Sequence, residues 1–165
     1  MASRHDIRRL AMQLLYQIDL RGEADLEAIR RGLNDGVDPP EMAQTAFELA
    51  AAAWQKHAEA DALATELAPA WPTPRQPPVD RAILRLAYFE MLTGRAPVKV
   101  AINEAVELAK EYCSEQSPPF INGVLDKVAK RVTPEIPTPA PEPGLAPKAD
   151  PWLHDALDHP GGEKP

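Results

Sequence analysis

VDRAILRLAYFEML (79–92), VKVAINEAVELAKEY (98–112) and SPPFINGVLDKVAKRV (117–132) follow one another with only short breaks between them. Each is long enough for a helix of three turns or more, and each is punctuated at its ends. Gly94 closes the first, Pro97 precedes the second, and Ser117-Pro118-Pro119 is placed to cap the third. In the third, Ile121, Val124, Leu125, Val128 and Val132 recur at the three-to-four spacing that brings side chains onto one helical face. Three amphipathic helices in sequence must bury those faces against one another, which predicts a helical bundle.

Towards the N-terminus the pattern persists. Ile7, Leu10, Ala11, Leu14, Leu15 and Ile18 share a face; Ser3 and Asp6 make an approximate capping box, and Gly22 is a plausible stop. A short helix is expected from about Ala24 to Leu33. Asp38-Pro39-Pro40-Glu41 begins another, since aspartate caps and proline fits the first turn. Ala43, Ala46, Phe47, Ala50, Ala51, Trp54 and Ala58 keep helical spacing, so this helix can be long, ending by Pro69. Five prolines between Pro69 and Pro78 are too stiff for helix or inner strand and divide the body into halves. No segment alternates with period two. The fold class expected is all-α, six to seven helices in two packed groups. Each helix buries about five or six apolar side chains, at roughly 1.5–3 kcal/mol per fully buried side chain.

The last segment is different. Residues 133–165 hold 9 prolines and few large apolar side chains, too few to offset a backbone ordering cost of roughly 1–2 kcal/mol per residue, and are read as a disordered proline-rich tail. The folded domain is residues 1–132. Of the net charge of −7, the tail carries −4 and the body −3, so the chain is no general nucleic-acid sponge and any RNA site must be a local basic patch. The single cysteine, Cys113, excludes an internal disulfide framework and a cysteine-based zinc site. With no run of 18 apolar residues and charges flanking the short apolar stretches at the N-terminus, neither export nor membrane insertion is suggested, and a cytoplasmic location is expected.

Chemistry is hard to find. The phosphate-cradling, dinucleotide, nucleophile-elbow and zinc-peptidase motifs are all missing, so no enzyme, no cofactor and no metal is expected. His5, His57, His154 and His159 lack paired metal-ligand spacing. Cys113 is read as a small, half-buried residue rather than a reactive thiolate. Glu104, Glu107 and Glu111 recur at helical spacing and are read as a solvated face beside Lys110. Arg4, His5, Arg8 and Arg9 crowd the first two turns of the first helix, where the helix dipole is already positive, so they either await an anion or are ordinary surface cations. Arg81, Arg85, Arg95 and Lys99 form a second cluster. Asn122-Gly123 interrupts the last helix, where glycine costs about 1 kcal/mol relative to alanine; either a neighbouring helix or a ligand approaches there.

Lys99-Val-Ala-Ile-Asn-Glu-Ala-Val-Glu-Leu-Ala-Lys110, followed by Phe120-Ile-Asn-Gly-Val-Leu-Asp-Lys127, resembles the signature half of the NusB family. Asp80 to Glu90 and the opening helix with Ala11, Gln13, Leu15 and Tyr16 extend the resemblance over residues 4–131. It implies two three-helix bundles, antitermination of ribosomal RNA transcription, and binding of single-stranded boxA-type RNA. It also implies a partner, NusE, a small-subunit ribosomal protein, with which the family joins other Nus factors on RNA polymerase. The family's arginine-rich RNA segment falls on Arg4, His5 and Arg8, with Arg9 one residue along and Tyr16 and Phe120 as nearby aromatics. Its partner surface falls on Glu90. His5, Asp6 and Pro119 stand where the family commonly has basic residues and dilute the basic patch, while Gln116 replaces a frequent aspartate and removes a negative charge near the RNA path; weak RNA binding alone, strengthened by NusE, is expected.

Two alternatives stand beside this reading. One is an RNA-targeting helical module of the kind fused to ribosomal RNA methyltransferases, although no cofactor domain follows residue 132. The other is a helical interaction module that binds no RNA.

Overall fold

The computed structural model describes residues 3–37 and 39–132. The tail reading and the Asp38 cap lie outside the described residues. Seven α-helices are found among those described: α1 (Arg4–Arg21), α2 (Leu26–Asn34), α3 (Pro40–Gln55), α4 (His57–Leu67), α5 (Pro78–Thr93), α6 (Val98–Tyr112) and α7 (Ser117–Arg131). One-turn 3-10 segments precede α2 at Glu23–Asp25 and α5 at Thr73–Arg75.

The capping box on α1 is complete. The Ser3 hydroxyl accepts from the Asp6 N–H at 3.1 Å, and the Asp6 carboxylate accepts from the Ser3 N–H at 3.1 Å, satisfying two donors that the helix start would otherwise leave open. Gly22 leaves the helix at φ 90° and Gly94 ends α5 at φ 66°, both in the region that favours glycine. Helices α3 and α5 start on proline, Pro40 and Pro78, where the missing N–H has no helical partner to lose.

Two expectations need correction. The long helix after Pro40 is broken at Lys56, although neither proline nor glycine lies there. The His57 ring stacks on Trp54 with centroids 3.8 Å apart, and its Nδ1 donates to the Trp54 carbonyl oxygen at 2.5 Å. A side chain competing for a helix carbonyl interrupts the backbone ladder, and the Lys56 N–H bonds back to the Ala53 carbonyl instead. Ser117 does not cap α7. It is the first helical residue, and its hydroxyl donates to the Asp80 carboxylate at 2.7 Å.

Helices α1, α2 and α3 pack together, and α5, α6 and α7 pack together with α4 laid on α5 and α7. Helix α5 joins the groups by also touching α1 and α3, so the buried side chains of all seven helices form one continuous core. A central helix has little solvent-facing surface, and α5 carries Asp80, Arg85 and Glu90 into the interior along with its apolar residues. Such groups persist when buried only if paired. Arg85 makes a two-pronged contact with Asp61 at 2.7 and 2.8 Å, and its guanidinium lies 5.2 Å from the centre of the Trp54 ring. Arg81 bonds Asp19 at 2.5 Å. The second basic cluster is thereby largely consumed inside the fold, leaving Arg95 and Lys99 facing solvent.

The proline-rich connector is held in place. Thr73 donates its hydroxyl to the Asp61 carbonyl at 3.1 Å, and the side chain of the buried Gln76 donates to the Trp71 carbonyl at 3.1 Å. No described helix is long and apolar enough to cross a membrane.

Candidate nucleic-acid interface

The first two turns of α1 lie against α6, which brings the basic N-terminal segment onto the acidic face of that helix. His5 Nδ1 stands 2.5 Å from Glu104 Oε2, and its Nε2 stands 3.3 Å from Glu111 Oε1. Arg9 reaches Asp6 at 3.0 Å and Glu111 at 3.3 Å. Glu104 and Glu111 are therefore counter-charges to α1, which corrects their reading as a solvated face; only Glu107, paired with Lys110 at 3.0 Å, fits that description.

The electrostatics follow from the contacts. The hydrogen bond to Glu104 raises the His5 pKa above 6.5, with Glu111 adding to it and partial burial opposing it. Glu111 is held below the ordinary carboxylate value by Arg9 first and His5 second.

Arg8 and Glu90 form the most enclosed pair of this face. Arg8 Nε donates to both Glu90 oxygens, at 2.9 and 3.0 Å, and the two residues are 9% and 3% exposed. Burial pushes the Glu90 carboxyl up, and Arg8 pulls it back down. Glu90, expected on a partner surface, lies beneath Arg8 and is nearly fully covered, reaching the surface only along a cleft beside Arg4. Arg8 is likewise an internal counter-charge rather than a free phosphate ligand.

Arg4 is exposed and has no ion-pair partner among the described residues. It borders an open cleft of about 300 Å³ whose walls also include Arg8, Thr45, Leu49, Glu90 and Arg95. Arg95 stands 5.9 Å from the Phe89 ring and also lacks an ion-pair partner among the described residues. On this cleft the positive charge left for an anion is that of Arg4 and Arg95.

The expected aromatics are half-buried. Tyr16 and Phe120 both pack against the core, and Phe120 also faces Trp71 across a small cavity. Cys113 has its thiol pushed up to about 12 by burial and by Asp80, which agrees with an unreactive half-buried residue. Gly123 has nothing within 4 Å of where a Cβ would stand, so close helix packing does not account for it.

A family model, that of the NusB family, matches residues 5–130. The chain belongs to the NusB family. Among relatives of this NusB-family chain, the transcription antitermination protein NusB of Roseiflexus castenholzii is 42% identical over 131 residues, covering 78% of this chain and 92% of the relative. That of Chloroflexus aggregans is 39% identical, covering 79% and 89%. Among solved structures, T. maritima NusB superposes with a TM-score of 0.69 at 30% identity, covering 81% of this chain and 94% of that one. A chain in the crystal structure of antitermination factors NusB and NusE in complex with double-stranded RNA superposes with a TM-score of 0.66 at 26% identity, covering 78% and 96%.

Two cavities of this NusB-family fold draw on residues whose place the sequence does not mark. Arg95 was grouped with Arg81 and Arg85, although its place after the Gly94 stop marks it as a turn residue free of the helix interior. Trp71 sits in a stiff connector, and a tryptophan between prolines has few neighbours in sequence to bury it, which leaves it 46% exposed. Asp80, read within the family match, gave no sign of its partner Ser117, which is 37 positions away.

Proposed function

We propose that this chain works as a transcription antitermination factor that binds boxA-type single-stranded RNA together with NusE, supporting ribosomal RNA transcription in the cytoplasm, and performs no catalysis of its own. The observation that carries the reading is the pair of uncompensated arginines, Arg4 and Arg95, on one open cleft of a NusB-family fold. Arginines at such an edge hold phosphates, while half-buried aromatics accept unpaired bases. RNA contacts are assigned to Arg4 and to the outer members of the α1 strip, His5 and Arg9, with Tyr16 and Phe120 as stacking candidates. Arg8 and Glu90 set the geometry from below. The solved complex of relatives with NusE and RNA supports this choice of partners, and other Nus factors with RNA polymerase follow as indirect ones. The RNA-binding unit in this reading is the helical domain, residues 1–132.

Most cations of the strip are already neutralised, so the chain alone is expected to bind weakly and the NusE pair more tightly. A gel shift with a boxA-like RNA, with and without NusE, tests this. A shift that appears or strengthens with NusE supports the reading, whereas no shift in either case favours the helical interaction module that binds no RNA.

A further inference from the structure

The α6–α7 turn and the proline-rich connector meet over the first turn of α5 and enclose a cavity of about 200 Å³. Trp71, Pro77 and Phe120 supply its apolar walls, with the two aromatic centroids 6.2 Å apart and their planes tilted by 51°. The Trp71 backbone is pinned, since its N–H donates to the Ala68 carbonyl at 3.0 Å and its carbonyl accepts from the Gln76 side chain. An indole displayed to solvent from a rigid base lowers the ordering cost of whatever packs on it. No basic residue lines the cavity, and its one carboxylate, Asp80, is covered and bonded to Ser117. Such walls suit a neutral occupant. Gln116 is exposed at the rim, and neither its amide nor the Trp71 indole N–H is hydrogen-bonded to another described residue. Both groups donate. A proline-rich segment offers them carbonyl oxygens while having few N–H groups of its own to satisfy, and aromatic-lined grooves are the surfaces that take polyproline helices.

This chain carries such a segment close by. Residues 137–141, Pro-Thr-Pro-Ala-Pro, hold three prolines and no charge. They follow α7 by a few residues, and the course of α7 brings them within reach. Its first turn lines the cavity through Ser117 and Phe120, while its last turns lie beside the start of the connector. There Lys127 Nζ donates to the Leu67 carbonyl at 3.4 Å, and Arg131 pairs with Glu66 at 3.0 Å. From Phe120 to Arg131 the helix rises about 17 Å at ~1.5 Å per residue. Six residues at about 3.1 Å each, the spacing of a polyproline helix, cover that distance. A chain that turns back along α7 after Val132 thus brings the neutral stretch to the aromatic walls. Proline restricts a chain before it binds, so docking loses little further entropy.

We propose that residues 137–141 dock as a polyproline helix on Trp71, Pro77 and Phe120 of the same chain, with Gln116 and the Trp71 indole donating to their carbonyls. The docked segment covers Phe120 and so competes with any RNA base that uses that ring. This competition rests on the RNA reading above, whereas the docking does not. The segment lies outside residues 5–130, which the family model matches, so the contact is a property of this chain's own tail.

The test uses the full chain with a spin label on Ala146→Cys, just past the segment. Cys113, whose thiol is pushed up to about 12, stays unlabelled at neutral pH. The label is expected to broaden the NMR signals of the Trp71 indole and the Phe120 amide. The broadening should vanish when Pro137→Gly, Pro139→Gly and Pro141→Gly are combined. Trp71→Ala should remove it at Phe120, and Trp71→Phe should restore most of it, with circular dichroism verifying that each variant keeps its helices. In fluorescence anisotropy the triple glycine variant should bind a boxA-like RNA roughly 3-fold more tightly than wild type, the gain expected when about two-thirds of wild-type molecules hold the segment. Broadening that is absent from wild type, or equal in wild type and the triple variant, overturns the docking and leaves the RNA reading standing. Broadening that arises only between spin-labelled and separate isotope-labelled chains gives the slot to a second copy and overturns docking within one chain. Docking without a change in RNA affinity overturns the competition. No RNA binding by either protein, alone or with NusE, overturns the RNA reading and the competition together, while the broadening still decides the docking.

Discussion

Arg8 and Glu90 show how one contact can reassign a residue. As members of a family pattern they stand for RNA and partner surfaces; as neighbours they are a buried ion pair whose two halves lie 82 positions apart. Removing one half of such a pair leaves an uncompensated charge and costs about 3–5 kcal/mol, whereas replacing both halves with apolar groups of similar size is often neutral. Arg8→Ala is therefore expected to lose about 3 kcal/mol of stability in urea unfolding, near the low end because the Glu90 carboxyl is already pushed up and can take a proton. The Arg8→Met, Glu90→Leu pair should regain most of that loss. An Arg8→Ala protein as stable as wild type would mean that the pair contributes nothing. His5 adds a pH signature. Its folded pKa stands above 6.5, so the folded state holds the proton more tightly. That contribution is complete below 6.5 and is lost as pH rises through the folded value. Wild-type stability should fall across that window, and the fall should shrink in His5→Asn; parallel curves for the two proteins would show that the contacts with Glu104 and Glu111 carry no linkage.

At the scale of elements, what the sequence disclosed and what it withheld divide along a physical line. Periodicity, Gly22, Gly94 and Pro40 are local signals, and each helix they announce is present. The break at Lys56 was hidden because its cause is a side chain, His57, reaching a carbonyl three residues back, which leaves the apolar spacing undisturbed. The role of Glu104 and Glu111 was hidden because their partners lie on a helix about a hundred residues earlier. No pattern within α6 distinguishes an acidic face turned to water from one turned to α1. Gly123 tests the same line from the other side. It lies inside α7 with open space where a side chain would be, and an exposed helical glycine is less favourable than alanine by about 0.8–1.0 kcal/mol. Gly123→Ala should raise stability by about that amount in urea unfolding. A loss instead would show that the helix needs the backbone freedom of glycine there.

The whole molecule sets how RNA must be bound. The body is mildly acidic, and along the α1–α6 edge His5, Arg8 and Arg9 already face carboxylates, so long-range attraction contributes little and the few uncompensated cations decide the affinity. Each phosphate contact on a single strand adds about 0.7 to the slope of log affinity against log salt. Arg4 and Arg95, the free pair on the cleft, should together contribute about 1.4 to the slope, and Arg4→Ala should lower the measured slope by about 0.7. The carboxylates compete with RNA for the remaining cations, which gives the stricter test. Glu111→Gln keeps the shape of its side chain but removes one of the two carboxylates on Arg9, leaving only Asp6 at 3.0 Å, so that Arg9 is freer to take a phosphate. Affinity should rise and the slope should steepen by about 0.7, in spite of the substitution lying outside the arginines themselves. Glu107→Gln is the control, because Glu107 pairs only with the exposed Lys110 on its own helix and neutralises nothing on α1. Equal gains from the two substitutions would mean that RNA responds to net charge alone and that the α1–α6 edge is not its path, whereas a steeper slope for Glu111→Gln only would place the strand along that edge.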